Sequence, residues 1–97
     1  MKHFVYLIIS FANKRLISYV GYTKNIKKRL IQHNNSNGAK YTKGRKWILC
    51  YKETYLSKSK AMSREYKLKK DRKLRNFLKE KFKKNNSNYR ILKNNLR

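Results

Sequence analysis

Residues 3–10, HFVYLIIS, form an unbroken run of aromatic, β-branched and aliphatic side chains. A run that short, rich in Val, Ile and aromatics, predicts a buried strand rather than a helix. Phe11 to Arg15 interrupts it with Asn13 and two cations, and predicts a turn. Residues 16–22, LISYVGY, predict a second strand that pairs with the first as an antiparallel hairpin. Gly21 inside that strand signals a bulge or a close backbone approach. From about Lys24 to Asn34 the spacing becomes helical. Ile26, Leu30 and Ile31 form the apolar stripe, and Thr23 or Asn25 is placed to cap it. Residues 34–45, NNSNGAKYTKGR, carry two glycines and predict a loop with a basic, aromatic tip. Residues 46–55, KWILCYKETY, predict a third strand.

Ser57 opens a second predicted helix, and with no proline in the chain nothing breaks it before about Asp71. A third helix is expected from about Asp71 to Lys83. Lys84 to Arg97 is dominated by Asn, Lys and Arg, with Tyr89, Ile91, Leu92 and Leu96 as its apolar residues. It is expected to be a basic tail that folds on binding. The order β-β-α-β-α-α predicts an α+β domain over residues 1–83, a small three-stranded antiparallel sheet flanked by helices, followed by the tail at 84–97.

Composition decides what such a domain is for. The chain has 97 residues, with Lys plus Arg at 28 against 4 Asp plus Glu, and a net charge of +24. That length suits one domain. The mean hydropathy of −0.99 with so high a charge is also a signature of disorder. The patterned apolar runs and an aromatic content of 13% argue instead for a folded domain. So much like charge repels itself, which points to a polyanionic partner. Only Lys2, Lys14 and Arg15 precede Tyr22 among the cations, and residues 58–84 hold 13 of them against Glu65, Asp71 and Glu80. A phosphate backbone binds such a surface by releasing counterions. The basic helices lack the broad apolar face that membrane-surface binding needs, and the run from Phe4 to Ile9 is far short of a span. Cys50 stands alone, which excludes a disulfide framework. No secretory signal is visible, so a cytoplasmic protein that binds nucleic acid is expected.

Three groups of residues carry candidate chemistry. Ala61, Glu65 and Leu68 fall on one helical stripe flanked by Met62, so Glu65 points at or beside the core. A buried carboxylate must be paired or bind a metal, and on position alone an ion pair is the ordinary outcome. Arg29 and His33, four residues apart, share a helix face. That spacing suits surface decoration, or a cation that stabilises phosphate charge beside a histidine that moves a proton. Tyr6 and Tyr19 each fall mid-strand in the hairpin and are candidate cross-strand neighbours; two such tyrosines are usually core packing.

Taken in order, these residues resemble a known family. Phe4-Val5-Tyr6 and Tyr19-Val20-Gly21 look like the paired motif of the GIY-YIG nuclease superfamily. The resemblance continues through Tyr22-Thr23, Arg29, His33, the loop Gly38-Ala39-Lys40-Tyr41-Thr42, the strand near Trp47, and Ala61 to Glu65, covering residues 3 to about 80. It is closest to the small single-domain bacterial members, which are related to the catalytic domain of the excision-repair nuclease subunit. Two positions depart from the family pattern. Phe4 stands where the first motif has glycine, and Phe77 stands where larger members carry an asparagine, with Asn76 one step before it.

The resemblance implies a divalent-metal-dependent DNA endonuclease of structure-dependent or low sequence specificity, acting in DNA repair or recombination. Tyr6 and Tyr19 match the motif tyrosines, one of them the general base or the residue that positions the attacking water. Arg29 matches the arginine on the scissile phosphate, His33 a histidine that assists proton transfer, and Glu65 the single metal-holding carboxylate. Mg²⁺ or Mn²⁺ is the implied cofactor. The basic tip residues Lys40, Tyr41, Lys43 and Arg45 are the expected substrate contacts. A homodimer or a protein partner would supply specificity. The alternative is a non-catalytic nucleic-acid-binding accessory, for DNA or RNA, with a dormant site. Chemistry adds one constraint. An ordinary tyrosine has a pKa of about 10, so deprotonating it at neutral pH costs roughly 4 kcal/mol, and a tyrosine base needs help.

Overall fold

A computed structural model describes residues 1–85. Its elements run β1 (His3–Ala12), β2 (Arg15–Thr23), α1 (Ile26–Asn34), a 3₁₀ turn (Lys40–Thr42), β3 (Ile48–Tyr55), α2 (Lys58–Lys70) and α3 (Arg72–Asn85). The expected order β-β-α-β-α-α holds. The sheet is antiparallel with order β2-β1-β3, so the most apolar strand is central. Most of the expected tail lies outside the described residues; Lys84 and Asn85 belong to α3.

The hairpin closes more tightly than the interrupting polar residues suggest. Asn13 (φ 51°) and Lys14 (φ 66°) both adopt left-handed backbone, the form a two-residue hairpin turn requires, so pairing continues to Ala12 opposite Arg15. Asn25 rather than Thr23 caps α1, accepting from Lys28 N at 3.0 Å. Ser57 caps α2, and Asp71 separates α2 from α3 while accepting from Leu74 N at 3.0 Å.

Strand alternation sends side chains to two faces. On one, Val5, Leu7 and Val20 pack with Ala61 and Leu68 of α2, and Ile9 and Leu16 pack with Phe82 of α3. On the other, Tyr6, Ile8 and Trp47 pack with Tyr19 and with Ile26 and Leu30 of α1. Two sequence expectations change here. Ile31 is 53% exposed, and His33 is buried in its place, because the face that meets the sheet runs 26, 30, 33. Strand β3 begins at Ile48 rather than Lys46, because Trp47 turns under the sheet and is almost fully buried.

A second network ties β3 to α2. Glu53 accepts from the Tyr51 and Tyr55 hydroxyls at 2.5 and 2.6 Å, and from Arg64 Nε and NH2 at 2.8 and 3.0 Å. Burial works to raise the Glu53 pKa, but the bonds from Arg64, Tyr51 and Tyr55 outweigh it and hold the carboxyl down at about 2. Glu65 is the residue after Arg64, so this clamp also sets the rotation of the helix that carries it. No helix among the described residues is long and apolar enough to cross a membrane.

Candidate active site

Tyr6 is opposite Gly21 in the β1–β2 register, and Tyr19 is opposite Ile8. The two tyrosines are therefore diagonal on one face, not directly paired. Gly21 answers to a close approach: a Cβ there would collide with the Tyr6 hydroxyl, so only glycine lets the ring lie across β2. The ring is almost fully buried, and its hydroxyl reaches His33 Nε2 at 2.7 Å.

His33 is completely buried, which removes the surface reading for it. Its Nδ1 lies 2.9 Å from Thr42 Oγ1. The Thr42 hydroxyl has one proton and donates it to the Ala39 carbonyl at 2.8 Å. Toward His33 the same oxygen must accept, so Nδ1 carries the imidazole proton. Nε2 is then a bare lone pair and accepts from the Tyr6 O–H. The loop is shaped for this contact. A Cβ on Gly38 would strike His33 Nδ1. Trp47 Nε1 donates to the Thr42 carbonyl at 2.9 Å, and the Asn34 side chain accepts from Trp47 N at 2.6 Å and donates to its carbonyl at 2.9 Å.

The remaining expected residues surround this pair unevenly. Burial pushes the Tyr6 pKa up to about 12, against a lowering influence of the Arg29 guanidinium; Tyr19 and Glu65 act on the same hydroxyl. The His33 pKa is lowered by burial and by Arg29, so the ring is neutral at neutral pH. The structure thus gathers Tyr6, Tyr19, Arg29, His33 and Glu65 within electrostatic reach of one phenol. Tyr19 sets its ring edge-on to His33 (centroids 5.3 Å apart) and stacks with Tyr41 at 6.1 Å. Arg29 NH1 donates to Gln32 at 3.1 Å and lines a cleft of about 450 Å³ with Lys24, Lys28 and Lys58.

Of the basic loop residues, Arg45 lies over the Tyr41 ring at 5.6 Å from its centroid. Lys40 and Lys43 are exposed, on the rim of the cluster rather than within it. Phe4 is half-buried on the central strand, with the Lys52 amine over its ring at 5.6 Å from the centroid. Asn76 and Phe77 are both exposed on α3.

Among the described residues, no group of three or more His, Cys, Asp or Glu is arranged to hold a metal ion. Glu65 stands by itself. Its side chain is 17% exposed, and its ion-pair partner Lys69 is distant at 3.8 Å, so its oxygens are not consumed by a tight salt bridge. One hard, accessible carboxylate fits an ion that keeps most of its waters and takes phosphate oxygens, as Mg²⁺ does, and does not fit zinc.

Sequence reading did not single out Thr42 as chemistry, nor Asn34 and Trp47 as the frame of the loop. Spacing along the chain carries no trace of these contacts; they arise because the loop folds back over the end of α1.

The chain is similar to known proteins of one family. The model of the GIY-YIG catalytic domain matches residues 2–79. A UPF0213 protein of Staphylococcus epidermidis is 49% identical over 69 residues, covering 70% of this chain and 80% of that protein. A UPF0213 protein of Staphylococcus saprophyticus is 46% identical over the same shares. The solution NMR structure of a UPF0213 protein from Bacillus halodurans is 35% identical, with a TM-score of 0.45 over 80% of this chain and 82% of that one. With the catalytic-domain model matching residues 2–79, the chain belongs to the GIY-YIG family.

Proposed function

We propose that the protein is a divalent-metal-dependent endonuclease that hydrolyses phosphodiester bonds in DNA, with structure-dependent or low sequence specificity. The observation that carries this reading is the chain of bonds from Tyr6 through His33 to Thr42 beside Arg29 and Glu65.

A Tyr6 pKa of about 12 means that a free phenolate at pH 7 would cost roughly 7 kcal/mol. The phenol therefore serves as a conduit and not as a store of negative charge. As water attacks phosphorus, its proton passes to the Tyr6 oxygen while the Tyr6 proton passes to His33 Nε2. The P–O bond to the nucleophile forms, and the P–O bond to the leaving group breaks with its electron pair going to the leaving oxygen, which takes a proton from solvent while His33 later returns the relayed proton to solvent. Neutral His33 is ready for this at pH 7, and the bond from Nδ1 to Thr42 keeps the ring in the receiving tautomer. Arg29 stabilises charge on the phosphoryl oxygens as it develops. Glu65 would hold Mg²⁺ or Mn²⁺, and a bound ion supplies charge neutralisation at the phosphate.

The test is Mg²⁺-dependent nicking of supercoiled plasmid and of branched DNA by the full chain and by Glu65→Gln. The variant should stay folded by circular dichroism and lose cleavage by at least about 10²-fold. Metal-dependent nicking retained in the variant removes Glu65 from the chemistry. A wild-type protein that binds DNA but cuts neither substrate is the non-catalytic accessory instead.

A further inference from the structure

Outside the Tyr6–His33 cluster, cations converge along the free edge of β2. A groove of about 520 Å³ opens there, walled by Arg15 from the strand, Tyr41 from the loop, and Lys69, Arg72, Arg75 and Lys79 from α2 and α3. None of its lining residues is acidic. Tyr19 forms part of the floor, so one end of the groove opens onto the candidate active site.

The convergence is costly to the fold. Burial lowers the pKa of the Lys79 amine, and Arg75, Lys83, Arg72 and Arg15 lower it further. Arg75 has a structural duty, donating to the Leu68 carbonyl at 2.9 Å and to that of Lys69, which closes the end of α2. Among the described residues, the Lys69 amine makes only the long contact to Glu65. Among the described residues no such duty explains Arg15, Arg72 and Lys79, which β2 and α3 bring to one concave surface. Like charges gathered in a groove that no carboxylate lines fit a polyanion.

We propose that this groove is the track for the nucleic-acid backbone: consecutive phosphates of one strand bind Arg15, Arg72 and Lys79, and the strand leads across Tyr19 to the Tyr6–His33 pair. The inference rests on the hydrolytic reading for what lies at the end of the track, and on the groove alone for the binding. It moves the main phosphate contacts from the exposed tip residues Lys40 and Lys43 to the β2 edge.

The experiment is binding of a fluorescent 12-nucleotide oligothymidine by the full chain in EDTA, as a function of salt. The test variant is Arg72→Gln/Lys79→Gln. The control is Lys60→Gln/Lys67→Gln, which removes the same charge from exposed positions of α2 outside the groove. The groove variant should bind at least about fivefold more weakly at 0.1 M salt and lose about 1.4 from the slope of log K against log salt, since each phosphate contact on a single strand contributes about 0.7. The control should stay within about twofold of wild type. The groove variant should also melt no lower than wild type, because it relieves repulsion. Equal weakening in both variants, or an unchanged slope in the groove variant, overturns the inference. Groove-dependent binding by a wild-type protein that cuts nothing would leave the track standing and sink the hydrolytic reading. Normal cleavage with groove-independent binding would do the reverse.

Discussion

The Tyr6 hydroxyl and His33 Nε2 are 2.7 Å apart, a bond between two almost fully buried side chains that joins the central strand to the end of α1. Neither side chain is suited to its task alone. The phenol is too weak an acid to ionise at neutral pH, and the imidazole is too buried to meet substrate. Tyr6→Phe and His33→Gln should each lower single-turnover cleavage by about 10²–10⁴-fold. The double variant should be little slower than the worse single one, because both break the same relay. Multiplicative losses in the double variant would show that the two residues act separately. Melting curves on all three separate this from unfolding, since leaving a buried partner unsatisfied costs about 1–3 kcal/mol by itself.

Thr42 orients rather than reacts. Thr42→Val keeps its volume but takes away the acceptor for the His33 Nδ1 proton. The tautomer with the proton on Nε2 then becomes accessible, and that tautomer cannot receive from Tyr6. The rate should fall at least about tenfold, toward the roughly 10⁴-fold seen when a catalytic histidine is held in the wrong tautomer. Thr42→Ser should restore most of it, with KM unchanged in both. A valine variant at wild-type speed would show that Thr42 contributes only packing.

Gly21→Ala tests the close approach. The added methyl group would occupy the position of the Tyr6 hydroxyl, and neighbouring ladder bonds hold the β2 backbone in place. The Tyr6 ring must move, at a cost of about 1–3 kcal/mol in stability. Cleavage should drop more than the melting temperature explains, because the bond to His33 is lost with the ring's position. A fully active, stable alanine variant would mean that Tyr6 can reach His33 from another rotamer.

Two groups make the protein sensitive to acid. The folded His33 pKa lies below its ordinary 6.5 because of burial and Arg29. As pH falls below 6.5 the unfolded chain takes up that proton first. Stability is whole above 6.5 and declines below it. Activity should show an acid limb centred below pH 6.5 for the same reason. Glu53 follows at lower pH: its folded pKa of about 2 is below the ordinary 4.5, so its contribution is present above 4.5 and is lost as pH falls toward 2. Urea midpoints at pH 7.5, 5.5 and 3.5 should step down twice. Glu53→Gln should be less stable at pH 7.5 and should lose only the second step. A flat profile between pH 7.5 and 5.5 would contradict the burial of a neutral His33.

The elements themselves were legible along the chain because they depend on neighbours in sequence. A six-residue apolar run such as Phe4 to Ile9 suits a buried strand, and Ser57 caps α2 and Asp71 caps α3 through bonds spanning three residues. Gly21 signalled a close approach, since a glycine within an aromatic strand leaves room for something, although its neighbour Tyr6 was not identifiable from the strand alone. The family motif marked Tyr6, Tyr19, Arg29, His33 and Glu65, but their order does not say which of them touch. Tertiary structure decided that. Periodicity put Ile31 on the buried face of α1, and the crossing of the helix over the sheet buried His33 instead. The proton on His33 was settled by a loop hydroxyl nine residues away, itself fixed by a bond to Ala39. The groove along β2 needed α2 and α3, distant from that strand in sequence, to bring their cations to its edge. Such contacts have no period along the chain because they are made by folding it back on itself.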